Sequence, residues 1–240
     1  MPVRVRAEDA ASAPSAKLDR DRIVETALDL MDQRGVEWLT MRRLAEALGV
    51  SAPTLYWHLP DKRALHDACV DRALREITVP TPEGAGWRDG IRVFMRSMRA
   101  QLGAHPSATQ LMTRSHPEEV SRLASSALAL LRAVPLGWDD AFLYCRLMIW
   151  RIVGFATMEH TLRTASELHR PAAEGGSARF RLTVPWPDDL PREARDASTL
   201  VDLDLMFATD VEVFVHGVER ARRTNRSVTR RPARPNGRGR

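Results

Sequence analysis

Leu39–Lys62, LTMRRLAEALGVSAPTLYWHLPDK, is the stretch whose reading decides the fold. Thr40 stands where a side chain can cap a short helix, and Leu44, Ala45 and Leu48 fall on its inward face. Gly49 closes that helix with a backbone conformation that a side chain would resist. Ser51 is placed to cap a second short helix, with Pro53 in its first turn, where a missing N–H costs nothing. Leu59-Pro60 stops this helix and Asp61 is placed to cap the next. Two short helices joined by a tight glycine turn make a helix-turn-helix. Ala45 is small enough to let them cross closely, and Val50 and Leu55 are the plugs of the small core.

The second helix then turns Ala52, Pro53, Thr54, Tyr56, Trp57 and His58 outward, a mixture of apolar and hydrogen-bonding groups suited to the floor of a major groove. Arg42 and Arg43 flank it from the first helix. Lys62 sits in the first turn of the following helix, beside backbone N–H groups that also attract phosphate.

Working outward, helical spacing continues on both sides. Ile23, Ala27, Leu30 and Met31 mark a helix from about Asp19–Asp21 to Gly35, and the helix after Asp61 is expected to reach Ile77. The Pro/Gly segment 78–86 reads as a linker. Beyond it Ile91, Phe94, Met95, Met98 and Leu102 share a face of a helix from Trp87, which Pro106 breaks. A short helix is expected to about Ser115, and another from Pro117. Asp139 is read as the cap of a long helix to about His169, apolar nearly all round between Ala141 and Met158 and therefore expected to be covered on every side. Residues 170–198 read as loop. A last helix is expected from about Thr199 to Arg223, with Leu203, Phe207, Val211, Phe214 and Val218 on one stripe. No segment reads as a strand, so the expected class is all-α. The expected division is a disordered arm 1–18, a DNA-binding domain 19–78, a helical ligand-binding and dimerisation domain 79–223, and a disordered basic tail 224–240.

The net charge of +5 resides at the end of the chain. Residues 217–240 carry nine Arg and one Glu, whereas residues 1–78 carry twelve basic against thirteen acidic side chains. The high isoelectric point thus reports a tail, and DNA binding has to be argued from a motif. The tail suits a solubilising end as well as nonspecific attraction to DNA. No run of eighteen apolar residues and no secretory h-region occurs, so no membrane span is expected and the reading is cytoplasmic. Cys69 and Cys145 lie in apolar helical patterns and read as buried thiols. No histidine pair has metal-ligand spacing, and no nucleophile elbow or phosphate loop occurs. Neither metal, cofactor nor enzymatic activity is expected.

Residues 22–77 resemble the DNA-binding domain of TetR-family repressors. PTLYWHLPDKRAL carries the resemblance most specifically, and FATDVEVFVHGVE resembles the final dimerisation helix of the tetracycline-repressor subgroup. The resemblance implies that Arg42 contacts a guanine and that Pro53, Thr54, Tyr56, Trp57 and His58 form the recognition helix. It implies that Thr40 and Lys62 anchor phosphates. Ala52 stands where the family usually carries a base-reading side chain, so the operator is expected to differ. The drug pocket departs further. Phe94, Met98, Met112 and Thr78 occupy positions where the subgroup holds a drug-binding Asn, a pocket Phe, a metal-ligating His and a pocket His. A pocket lined by Phe94, Met98, Leu102, Met112, Trp150 and Phe155, with His116 and Glu159 as polar contacts, is expected to take a largely apolar or aromatic ligand. The Met and aromatic residues among these read more often as plain core.

The expectation is therefore a homodimeric repressor of palindromic operator DNA, released by a small-molecule effector, with Leu203, Phe207, Val211, Phe214 and Val218 at the dimer interface. The rival readings are a nonspecific architectural DNA binder and a helical enzyme with an appended DNA-binding head.

Overall fold

Nine helices account for nearly all the described residues in a computed structural model, which describes 18–81, 86–112, 118–167, 179–181, 191 and 200–229. Helix α1 (Arg20–Arg34) starts where Asp19 Oδ1 accepts from Arg22 N at 2.8 Å. It buries Ile23, Val24, Ala27, Leu28 and Met31. Helix α2 (Met41–Leu48) is capped by Thr40, whose hydroxyl accepts from Arg43 N. Gly49, at φ 68°, closes it: Gly49 N donates to Glu46 O and Val50 N to Ala45 O. That pair of reversed bonds is a Schellman ending, and the left-handed residue it needs is the glycine.

Helix α3 (Ala52–His58) follows, with Leu55 fully buried against α2. Ser51 does not cap it through a backbone bond as expected; its hydroxyl pairs with the Thr54 hydroxyl at 2.7 Å. Helix α4 (Lys62–Leu74), capped by Asp61, ends three residues short of the expected Ile77, which the chain reaches through a turn. This helix packs on α1 and on the three helices that follow, α5 (Trp87–Ala104), α6 (Pro106–Met112) and α7 (Glu118–Arg132), so it joins the head to the body.

The body is built on α8 (Trp138–Glu167), which packs against α5, α6 and α7. It begins at Trp138, so Asp139 lies within the first turn and not at the cap. By length and composition α8 could cross a membrane. Yet Ala141, Cys145, Met148, Ile152 and Ala156 are buried in the chain's own core. It also exchanges ion pairs with its neighbours, Arg151–Asp210 and Glu159–Arg99. The opposite face, with Phe142, Leu143, Leu147, Trp150 and Met158, is open. A short antiparallel pair, β1 (Arg179–Arg181) and β2 (Leu200–Asp202), sets Phe180 opposite Val201. Strands of three residues leave no alternation long enough to read, so β1 reads as loop in the sequence and β2 as the start of the last helix.

The last helix, α9 (Leu203–Thr229), starts after β2 and runs six residues beyond the expected end at Arg223. Leu203, Phe207, Val211, Phe214 and Val218 are buried against α5 and α8 of the same chain. The sequence stripe therefore marks the side of α9 that faces its own core, which corrects its assignment to a dimer interface. Leu205, Met206 and Val213 are the apolar residues on its open side. Arginines on α5 pin α9 at three heights: Arg88 to Glu219 at 2.6 Å, Arg92 to Glu212 at 2.7 Å and Arg99 to Asp204 at 2.8 Å.

Candidate nucleic-acid interface and effector cleft

Helix α3 is short because Leu59-Pro60 ends it, and it is rigid because Leu55 and Leu59 are locked in the head's core. The remaining positions project. Trp57 is 89% exposed and Tyr56 49%, while Pro53 is exposed and Ala52, Thr54 and His58 are half-buried. An indole standing almost wholly in water is costly for a folded chain to present and marks a contact surface. Trp57 thus takes no part in the core. Arg42 is exposed on α2, its Nε 2.9 Å from Glu46 Oε1 in a solvated pair that is easily exchanged. Lys62 is at the start of α4, and Thr40 is exposed at the start of α2.

Arg43 is held differently from its neighbour. Its Nη1 donates to Trp38 O at 2.6 Å and its guanidinium lies 4.7 Å from the Trp38 ring centroid. It braces the α1–α2 connection instead of standing free beside Arg42.

The expected ligand pocket is only partly assembled. Phe94, Met98 and Leu102 are packed shut in the core, and Met112 and Phe155 are half-buried. His116 lies outside the described residues. Trp150 is 71% exposed on the open side of α8, so it lines no internal pocket: its register on the helix puts it opposite Met148 and Ile152. Of the expected group, Glu159 alone lines a cleft of about 420 Å³ between α5, α8 and the start of α9.

The walls of this cleft are charged and small in place of apolar. Helix α5 supplies Arg96, Arg99, Ala100 and Gly103, α8 supplies Glu159 and Arg163, and α9 supplies Asp204 and Phe207. Glu159 is buried and takes a two-point grip from Arg99, Nε to Oε2 at 2.9 Å and Nη2 to Oε1 at 3.1 Å, with Arg163 Nη2 on Oε1 at 2.7 Å. Burial pushes its carboxyl upward, but the hydrogen bonds and charges of Arg99 and Arg163 outweigh that and hold it below the usual carboxylate range. Arg99 also lies over Phe155 and Phe207, 5.0 and 4.8 Å from their centroids. The sequence pattern drew attention to Met and aromatic positions; the arginines of this cleft were missed because single charges on amphipathic helices look like solvated face.

Among the described residues no group of three or more His, Cys, Asp or Glu could hold a metal ion. Cys69 and Cys145 are buried free thiols, and burial pushes Cys69 up to about 12, which leaves it unreactive.

Residues 23–69 match the family model described as bacterial regulatory proteins, tetR family, and residues 79–222 match that of the tetracyclin repressor-like C-terminal domain. Tetracycline repressor protein class C of Escherichia coli is 40% identical over 218 residues, spanning 88% of this chain and 95% of that protein. The crystal structure of ActR from Streptomyces coelicolor in complex with actinorhodin aligns with a TM-score of 0.66 at 25% identity, over 86% of this chain and 99% of that one. The crystal structure of BioQ with its double-stranded DNA operator aligns at 0.55 and 28% identity, over 63% of this chain and 95% of that one.

Proposed function

The chain belongs to the tetR family of bacterial regulatory proteins, and on that premise we propose that it is a homodimeric repressor of transcription, released from operator DNA by a small molecule. The observation that carries the reading is the exposed face of α3, where Tyr56 and Trp57 stand in solvent beside the loosely paired Arg42 while Leu55 anchors the helix behind them. In this reading α3 enters the major groove, with Ala52, Pro53, Thr54 and His58 along it. Arg42 reads a base edge, and Thr40, Tyr56 and Lys62 hold phosphates. Arg43 contributes by fixing the loop at Trp38.

One short helix reads too few bases for useful specificity, so the site must be read twice, across a two-fold axis. The open apolar faces of α8 and α9, which pack on each other, supply the surface for a second copy: Phe142, Leu143, Leu147 and Trp150 on one, Leu205, Met206 and Val213 on the other. An obligate interface of this kind buries roughly 2,000 Å² or more in total. The effector binds in the body and acts through its unequal affinity for the DNA-competent and DNA-incompetent states. Such a protein works beside the chromosome, in the cytoplasm, and catalyses no reaction.

The test is footprinting of the full-length protein on genomic fragments. A protected two-fold symmetric site, bound far more tightly than its scrambled sequence, is the expected result. Equal affinity for both would sink the repressor reading and leave an architectural DNA binder.

A further inference from the structure

We propose that the cleft between α5, α8 and the start of α9 binds a flat aromatic carboxylate, which takes the place of Asp204 on Arg99. The proposal rests on the ligand-responsive reading above and names the chemistry of its effector. Arg99 holds two carboxylates of very different standing. Glu159 is buried and grips it at two points. Asp204 is 60% exposed and makes one bond, at 2.8 Å. A solvated single contact is readily exchanged for another carboxylate of the same charge.

The cleft has charge to receive it. Three guanidiniums, of Arg96, Arg99 and Arg163, face two carboxylates, and Arg96, whose charge also acts on Glu212, makes no direct ion pair among the described residues. With Asp204 displaced, an incoming anion meets a surplus of positive charge and a planar fork suited to two-point pairing. The cleft also has a floor for a flat body. At Gly103 an added Cβ would meet nothing within 4 Å, and Ala100 is one turn away on the same helix. Phe207, buried beneath the Arg99 guanidinium, also lines the cleft. A volume of about 420 Å³ accommodates a molecule of two or three fused rings.

Occupation has a route to the rest of the protein. Asp204 lies in the first turn of α9, where Asp202 Oδ1 accepts from the N–H groups of Asp204 and Leu205. The next two side chains, Leu205 and Met206, belong to the open apolar face. Freeing Asp204 from Arg99 loosens this turn, and with it the surface offered to a second copy.

The experiment is calorimetric titration of the full-length protein with 2-naphthoate, in parallel with 2-naphthamide, which lacks the charge. Saturable binding of the acid, about tenfold tighter than the amide, is expected. Gly103→Leu fills the floor and should weaken the acid about tenfold or more, with helical content confirming that the variant is folded. Asp204→Asn removes the competitor and should tighten the acid about threefold or more. Absence of saturable binding below about 10 mM, equal affinity for acid and amide, or unchanged affinity in Gly103→Leu each overturns the proposal. Operator binding is measured on the same wild-type preparation. A protein that binds operator but not naphthoate refutes the cleft alone, and one that binds no operator refutes the regulator reading.

Discussion

The Asp32 carboxylate accepts from His105 Nδ1 at 3.0 Å, across the seam between the DNA-reading head and the body. Its second oxygen accepts from Ser107 N, also at 3.0 Å, so one side chain of α1 holds both the end of α5 and the opening of α6. Asp32→Ala strands these donors in a half-buried site and is expected to cost about 1–3 kcal/mol. Urea denaturation of the dimer checks this, and an unchanged midpoint would show that the seam is held elsewhere.

Arg42→Ala is expected to cost about 1–3 kcal/mol of operator affinity and to relax preference at one base pair per half-site. Selection from a randomised operator library reads this directly; an unchanged preference would exclude base reading by Arg42. Lys62→Ala should instead weaken all DNA alike and reduce the salt slope by about one.

The head was legible because its side chains are its punctuation. Thr40, Gly49, Asp61 and the Leu59-Pro60 stop act within a few residues of themselves, so the sequence states them openly. The body was harder. Which side of α9 faces inward depends on Phe155, Tyr144 and the arginines of α5, partners more than fifty residues away. An apolar stripe announces burial but not the owner of the buried surface, and the sequence alone therefore points Phe207 and Val211 at a second subunit. The Arg99–Glu159 pair was invisible for the same cause.

Two substitutions two residues apart on α9, on opposite sides of the helix, separate core from interface. Val211 is fully buried in its own chain, so Val211→Arg should unfold the body, with loss of helical circular dichroism. Val213 is 57% exposed, so Val213→Arg should leave helicity intact and abolish dimerisation and operator binding together. A Val213→Arg protein that sediments as a dimer would remove this face from the interface.

Tetracycline with magnesium is not expected to release this protein from its operator. The resemblance implies that Phe94, Met98 and Met112 replace polar and aromatic drug contacts of the tetracycline-repressor subgroup, and the first two are closed in the core. A band-shift titration decides it, with release at micromolar drug as the contrary outcome.

Glu159 confers a pH dependence whose sign is fixed. Its carboxyl is held below the usual range in the folded protein, so its contribution is complete above the ordinary carboxylate pKa. That contribution is lost as pH falls through the lowered folded value. Stability should therefore decline in acid, and Glu159→Gln should flatten that decline while lowering stability at neutral pH. Parallel curves for the two proteins below pH of about 4 would contradict it.

The bridges between α5 and α9 also behave as a vernier scale. Arg88, Arg92, Arg96 and Arg99 recur at one-turn steps along α5, and Glu212 and Glu219 are two turns apart on α9. Sliding α9 by one turn, about 5.4 Å, would hand Glu219 from Arg88 to Arg92 and Glu212 from Arg92 to Arg96. Both graduations would match again, and the inward stripe from Leu203 to Val218 repeats at nearly the same step. Three marks fail to repeat: Asp204 would leave Arg99 for Gly103, which has no side chain, Asp210 would leave Arg151 for Phe155, and the bond from Tyr144 Oη to Gly217 O would break. The setting of the scale is thus read from these three marks, and one of them is the aspartate that lies open in the cleft.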